Sequence, residues 1–183
     1  HTLPLDLSAP VALFGRVQKN YFYVGNGSGG DVSAPYSINL VQGLVNAGVQ
    51  LDSTVLAAYE SWCTASVNDP DPGFWGHWPR YYAEMPVKQD WVQAAAKRCQ
   101  TAVVVIGRSA GEDRENTLKK GSFYLTNKEK ALLDAVTTAF QKVVLVLNIG
   151  SIMDFAEIDA YGDKISAILL AWQLGMESGN AVA

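Results

Sequence analysis

The sequence predicts an α/β fold, a three-layer sandwich whose mostly parallel sheet of about five to six strands carries helices on both faces. Three observations lead there. Residues 102–106 and 143–147 are short, β-branched, continuously apolar runs, which is how strands buried on both faces read. Segments with helical periodicity separate the apolar runs, and strands alternating with helices build a parallel sheet. The chain has 183 residues, 49 % of them hydrophobic, with no internal repeat or low-complexity linker, as suits one domain with one core.

The elements follow in chain order. Residues 11–14 read as the first strand, ended by Gly15, and residues 25–31 (GNGSGGD) as a glycine-rich loop. Ser37 is placed to cap a helix to about Ala47, with Ile38, Val41, Leu44 and Val45 as its apolar stripe. Residues 49–51 are a short second strand, and a helix over 54–67 starts near Asp52 or Ser53. Two Asp-Pro pairs, a Pro-Gly and five aromatic residues make 68–86 a long loop. A helix over about 89–99 leads into the strand at 102–106, which Gly107 ends. Thr126 with Glu129 forms a capping box for a helix to about Phe140. A strand at 143–147 follows, and the last strand is expected at 167–171. The closing residues GMESGNAVA read as the opening of a helix, so the chain is expected to be a fragment of a larger protein.

Composition narrows the function. A net charge of −4 with dispersed signs offers no basic face to nucleic acid. The apolar runs fall far short of the roughly 20 residues a membrane span needs. Two histidines, His1 and His77, make a histidine metal site unexpected, and Cys63 and Cys99 read as thiols rather than a disulfide framework. No metal or cofactor is expected. The first residues lack a basic start and an apolar stretch, so a cytoplasmic location is expected. His1 as first residue keeps secretion open as the alternative.

Three loops hold the candidate chemistry. Beyond the strand at 102–106 lies a polar cluster of Glu112, Asp113, Arg114 and Glu115. Ligands of open α/β sheets bind beyond the carboxyl ends of strands, which makes Glu112 a candidate general acid or base, with a solvated turn as the alternative. Gly25, Gly27 and Gly30 match G-x-G-x-x-G, with Asp52 placed like a ribose-binding acid. However, the strand ends at Gly15 and the next helix starts only near Ser37, so the phosphate-binding geometry is missing. A backbone at Gly27 and Gly29 open to close approach, with the Ser28 hydroxyl between them, suits a ligand better. Asn26-Gly-Ser also fits a glycosylation acceptor. In the third loop Trp75, Trp78, Tyr81 and Tyr82 offer flat faces to sugar rings, or else serve the loop's own packing or a domain interface.

Together the segments LFGRVQKNYFYVGNGSGGDV, VVVIGRSAGEDREN, KKGSFYLTNKEKALLDAV, KVVLVLNIGSIMDF and AILLAWQLGMESGNAVA resemble the α/β sandwich domain of glycoside hydrolase family 3, the β-glucosidase and β-xylosidase family. The resemblance covers nearly the whole chain. It implies part of a retaining β-glycosidase, with β-glucosidase expected, in which the sandwich supplies the acid/base Glu and a separate (β/α)8 barrel supplies an Asp nucleophile. Glu112 matches that Glu. The usual loop is Gly-Glu-Gly with extra residues before Asp-Arg, whereas Asp113-Arg114 follows Glu112 directly, which leaves Glu115 as the alternative acid. Ser28 matches a residue reaching the sugar, with Gly27 and Gly29 beside it. Trp75 and Trp78 fall in the leaving-group region, and Arg114 is expected to fix the acid loop by pairing with a carboxylate.

The resemblance also implies that this single domain (1–183), lacking barrel and nucleophile, is inactive alone. Its expected partners are a β-glycoside or oligosaccharide and the barrel, with self-association through an exposed docking face possible. The alternatives are a non-catalytic carbohydrate-binding or domain-packing module, and a nucleotide-binding α/β domain.

Overall fold

The computed structural model describes residues 2–30, 33–71 and 73–183. His1, Pro72 and the end of the glycine loop at Asp31 lie outside the described residues. Four strands form one all-parallel sheet in the order β1 (Val11–Phe14), β2 (Thr101–Arg108), β3 (Lys142–Ile149), β4 (Ala167–Leu170). Val103 aligns with Leu13 on one side and Val144 on the other, so apolar residues meet across the sheet. The expected strand at 49–51 shrinks to a single bridge, Leu51 to Val11, because the next residue, Asp52, already caps a helix.

The side-chain alternation of the strands separates two cores. Phe14, Val104, Ile106, Leu145 and Leu147 face α2 (Ser53–Thr64), α3 (Gln89–Ala96), α4 (Asn127–Ala139) and the short α5 (Ala156–Asp159), which the sequence did not announce. Leu13, Val103, Val105, Val144 and Val146 face α1 (Leu40–Asn46), beside which lies α6 (Ser178–Val182). The three-layer α/β sandwich is therefore present, with four strands among the described residues rather than the expected five to six.

Three helix starts have a local cause in a side-chain cap. On α4, the Thr126 hydroxyl accepts from Glu129 N at 3.1 Å while the Glu129 carboxylate accepts from Thr126 N at 2.7 Å. Asp52 accepts from Val55 N at the head of α2. The α1 cap is Asn39, boxed with Gln42, rather than Ser37. Ile38 is held outside the helix because it exchanges backbone hydrogen bonds with Met176 and Gly179. Gly107 lies within β2 rather than ending it, since a Cβ there would come within 2.8 Å of the Phe22 ring. Among the described residues no helix is long and apolar enough to cross a membrane.

Candidate functional site

At the carboxyl end of the sheet, two loops join edge to edge. Beyond β2, Ala110 O accepts from Asn26 N at 2.8 Å, Asn26 bridges Gly111, and Glu112 N donates back to Asn26 O at 3.1 Å. The glycine loop thus lies alongside the acid loop. Gly27 has φ +109°, and a Cβ there would sit 2.6 Å from that of Glu112, so only glycine permits this approach. Across the contact, Glu112 Oε2 accepts from both Ser28 N (3.0 Å) and Ser28 Oγ (2.6 Å). The Ser28 hydroxyl first, then its N–H, hold the exposed Glu112 carboxyl below the usual carboxylate range. Glu112 Oε1 has no hydrogen-bond partner among the described residues.

The aromatic loop lies across the same edge. Ser109 Oγ donates to Pro79 O at 2.6 Å, and Ser109 N to Arg80 O at 2.8 Å. Trp75 Nε1 donates to Asp113 Oδ2 at 3.2 Å, fixing Asp113 in a left-handed conformation with φ 55°. Arg114 was expected to pair with a carboxylate. Instead its Nε donates to Trp78 O at 2.7 Å, so it bolts the two loops together through the backbone. The two indoles meet edge to face at 5.4 Å. Trp75 is 49 % exposed and Trp78 only 6 %, so one indole presents a face and the other supports it. Tyr81 lies beneath the Arg108 guanidinium, and Tyr82 stacks on Phe22.

Beneath the loops sits a buried ion pair. Arg108, the last residue of β2, meets Glu129 with both terminal nitrogens, at 2.6 and 2.8 Å, and donates to Ser122 O and Tyr124 O. At the end of β3, Asn148 exchanges hydrogen bonds with the Phe22 backbone and donates to Trp172 O at 2.6 Å. Gln173 donates to Val24 O. Asn148 and Gln173 lash the loops after β1, β3 and β4 together, and sequence reading missed both of these ties and the one made by Arg108. Their one signal was position: each lies within three residues of a strand end.

Asp52 and the glycine loop, paired in the nucleotide reading, lie at opposite ends of the sheet. Asp52 N bonds to Val11 O at the start of β1, whereas Asn26 pairs beyond the end of β2, roughly 25 Å away along eight strand residues. The Asp52 carboxylate is engaged by Arg98 at 2.6 and 3.0 Å. Asp52 therefore stands away from the glycine loop, and the nucleotide reading that paired the two falls. Among the described residues no group of three or more His, Cys, Asp or Glu is placed to hold a metal ion.

Comparison with known proteins gives the architecture a family. The family model "Glycosyl hydrolase family 3 C-terminal domain" matches residues 1–183. A β-glucosidase of Ruminococcus albus is 40 % identical over 181 residues, covering 99 % of this chain and 19 % of that protein. The β-glucosidase structure from Paenibacillus barengoltzii superposes with TM-score 0.92 at 35 % identity, over 98 % of this chain and 20 % of that one. β-Glucosidase 3B from Thermotoga neapolitana, solved in complex with glucose, gives 0.84 at 30 % identity, over 99 % of this chain and 25 % of that one. The chain thus spans about a fifth to a quarter of the length of these relatives. It belongs to the glycosyl hydrolase family 3 C-terminal domain family.

Proposed function

We propose that this domain supplies the general acid/base, Glu112, and the leaving-group side of the cleft to a retaining β-glucosidase whose Asp nucleophile lies on a separate barrel. The observation that carries the reading is the Ser28–Glu112 contact. It holds one carboxylate oxygen and leaves the other, Oε1, exposed beyond the strand end and able to hold a proton.

Retaining chemistry uses two carboxyl groups about 5–5.5 Å apart. As the nucleophile attacks the anomeric carbon, Glu112 delivers its proton to the leaving oxygen. In the second step it takes a proton from the water that attacks the glycosyl–enzyme bond. Trp75 offers the half-exposed ring on which a leaving sugar stacks, with Trp78 behind it. Arg114 keeps the loop in place, and Gly27 and Gly29 let the Ser28 hydroxyl come near the sugar.

Within this chain the Ser28 donors favour the ionised form, so Glu112 alone is a poor acid at neutral pH. A second carboxylate and exclusion of water both raise a carboxyl's pKa, and the barrel would supply both. The same observation favours one other reading, a non-catalytic module in which Glu112 is only a loop anchor. A paired assay separates them, using 4-nitrophenyl β-D-glucoside, the matching xyloside and a β-linked glucose disaccharide on this chain alone and on the enzyme carrying its barrel. Turnover only with the barrel, with a Glu112→Gln loss that is large on the disaccharide and least on the aryl glycosides, supports the acid/base role. Disaccharide turnover that survives Glu112→Gln supports the module. Turnover by the isolated chain would place a nucleophile within it and contradict the division of labour.

A further inference from the structure

We infer that Arg16 is a positioning residue for leaving-group selectivity, because its buried guanidinium closes the neck of the loop that presents Trp75. This rests on the acid/base reading above.

Arg16 begins the turn after β1 and is only 2 % exposed, yet it forms no ion pair among the described residues. Its two terminal nitrogens donate to backbone carbonyls. One terminal nitrogen donates to Ala83 O at 3.1 Å and the other to Asn68 O, while Nε donates to Asn20 Oδ1. Asn68 and Ala83 are the two ends of the aromatic loop, so one planar fork draws the ends of residues 68–83 together. A flexible ammonium cannot match that geometry. The Tyr82 ring covers the guanidinium at 5.6 Å. A pocket of about 220 Å³, bordered by Arg16, Val67, Pro79 and Tyr81, lies in the neck beside the fork.

Both sides of the fork are themselves fixed. Gly15 has φ +99°, and its missing Cβ would fall 2.1 Å from Val105 O, which seats the Arg16 backbone hard against β2. Buried Glu84, one residue past the neck, accepts from Arg16 N at 2.8 Å, Met85 N at 2.8 Å and Tyr59 Oη at 3.1 Å. At the far end, Trp75 holds Asp113 and Trp78 O holds Arg114, on either side of which lie Glu112 and Glu115. The loop is an Ω-like unit tied at the neck to β1, along one side to Ser109 and at the tip to the acid loop. Loosening the neck therefore displaces the stacking face and the acid loop together, without touching the sugar that the barrel holds.

The test uses the enzyme that carries this domain, with Arg16→Met and Arg16→Lys variants. Hydrogen exchange is read peptide by peptide, with kinetics on 4-nitrophenyl β-glucoside and on a β-linked glucose disaccharide. Arg16→Met should speed exchange in 68–83 and 112–115 and leave β2 and β3 protected. The disaccharide's kcat/KM should fall about tenfold relative to the aryl glucoside, mainly through KM, as expected for displaced positioning groups. Arg16→Lys, which can still reach one carbonyl, should recover part of that ratio. Unchanged exchange in the loop, loosening that spreads through β2 and β3, or a loosened loop with an unchanged substrate ratio would each overturn the inference. If Glu112→Gln leaves disaccharide turnover intact in the same enzyme, the acid/base reading fails instead, and the exchange data still decide whether Arg16 places the loop.

Discussion

Removing the carboxylate of Glu129 should cost this domain more than any exposed ion pair could. Arg108 is fully buried, and Glu129 is its one acidic partner among the described residues. Glu129→Ala leaves the guanidinium with three carbonyls, those of Gly107, Ser122 and Tyr124, and no counter-charge. Breaking a buried pair in this way costs about 3–5 kcal/mol. The same substitution opens the Thr126 capping box, adding about 1 kcal/mol. A loss of about 4–6 kcal/mol is large against the roughly 5–15 kcal/mol that stabilises a domain, and lowers Tm by about 10–20 °C at this size. Urea unfolding of the chain, followed by tryptophan fluorescence, measures it. The double variant Arg108→Met/Glu129→Ala should be markedly more stable than the sum of the two single losses, because neither buried charge is left alone. A loss below about 1 kcal/mol for Glu129→Ala, or strict additivity in the cycle, would refute the reasoning.

Other outcomes follow from the same geometry. Burial pushes the Glu84 carboxyl up to about 7 from 4.5, against the N–H groups of Arg16 and Met85. The folded state therefore binds the proton more tightly, and this contribution to stability is complete below about pH 4.5 and disappears as pH rises to about 7. Its full size is about 3 kcal/mol, and unfolding of native and Glu84→Gln protein at pH 5 and 8 should show the slope only in the former. Asp52 has the opposite sign, its pKa held low chiefly by Arg98, so its contribution fades only as pH falls below the usual carboxylate range. Because Arg98 is partly exposed, Asp52→Ala should cost about 1–2 kcal/mol, mostly the lost helix cap, with little salt dependence in a melt. Gly27→Ala forces a Cβ onto Glu112 at a backbone angle that alanine resists, at about 1–3 kcal/mol. In the enzyme it should lower kcat more than it lowers Tm, and a variant with unchanged kcat would show that the glycine loop does not place Glu112.

What was legible in the sequence was local or strongly periodic. The buried strands at 102–106 and 143–147 stood out because every residue in them is apolar. The α4 start was readable because Thr126 and Glu129 satisfy each other within one turn. Errors arose where a distant partner decided the outcome. Ser37 looks as good a cap as Asn39 until Met176 and Gly179 hold Ile38 outside the helix. Gly107 reads as a terminator until Phe22 packs on it. For the site, the order of Gly27, Ser28 and Glu112 along the chain gave no hint of their contact, and the family resemblance implied a role for Ser28 and one for Glu112 without joining them. Trp75 and Trp78 are alike in sequence, and only the fold makes one a surface and the other its support. Asn148 and Arg16 were missed because each acts on backbone carbonyls, which leave no mark in the sequence.

The central claim is that Glu112 moves the proton, and one experiment tests it most directly. In the barrel-bearing enzyme, Glu112→Ala is assayed on aryl β-glucosides of graded leaving-group pKa, with and without azide. General acid catalysis contributes about 10²–10⁴-fold. The account expects a loss of that order in kcat/KM for poor leaving groups and a small one for the best, whose kcat falls instead through the unassisted second step. Azide, which attacks the glycosyl–enzyme without needing a base, should restore turnover. An equal loss on every substrate with no azide rescue would contradict it, as would finding the expected pattern in Glu115→Ala instead.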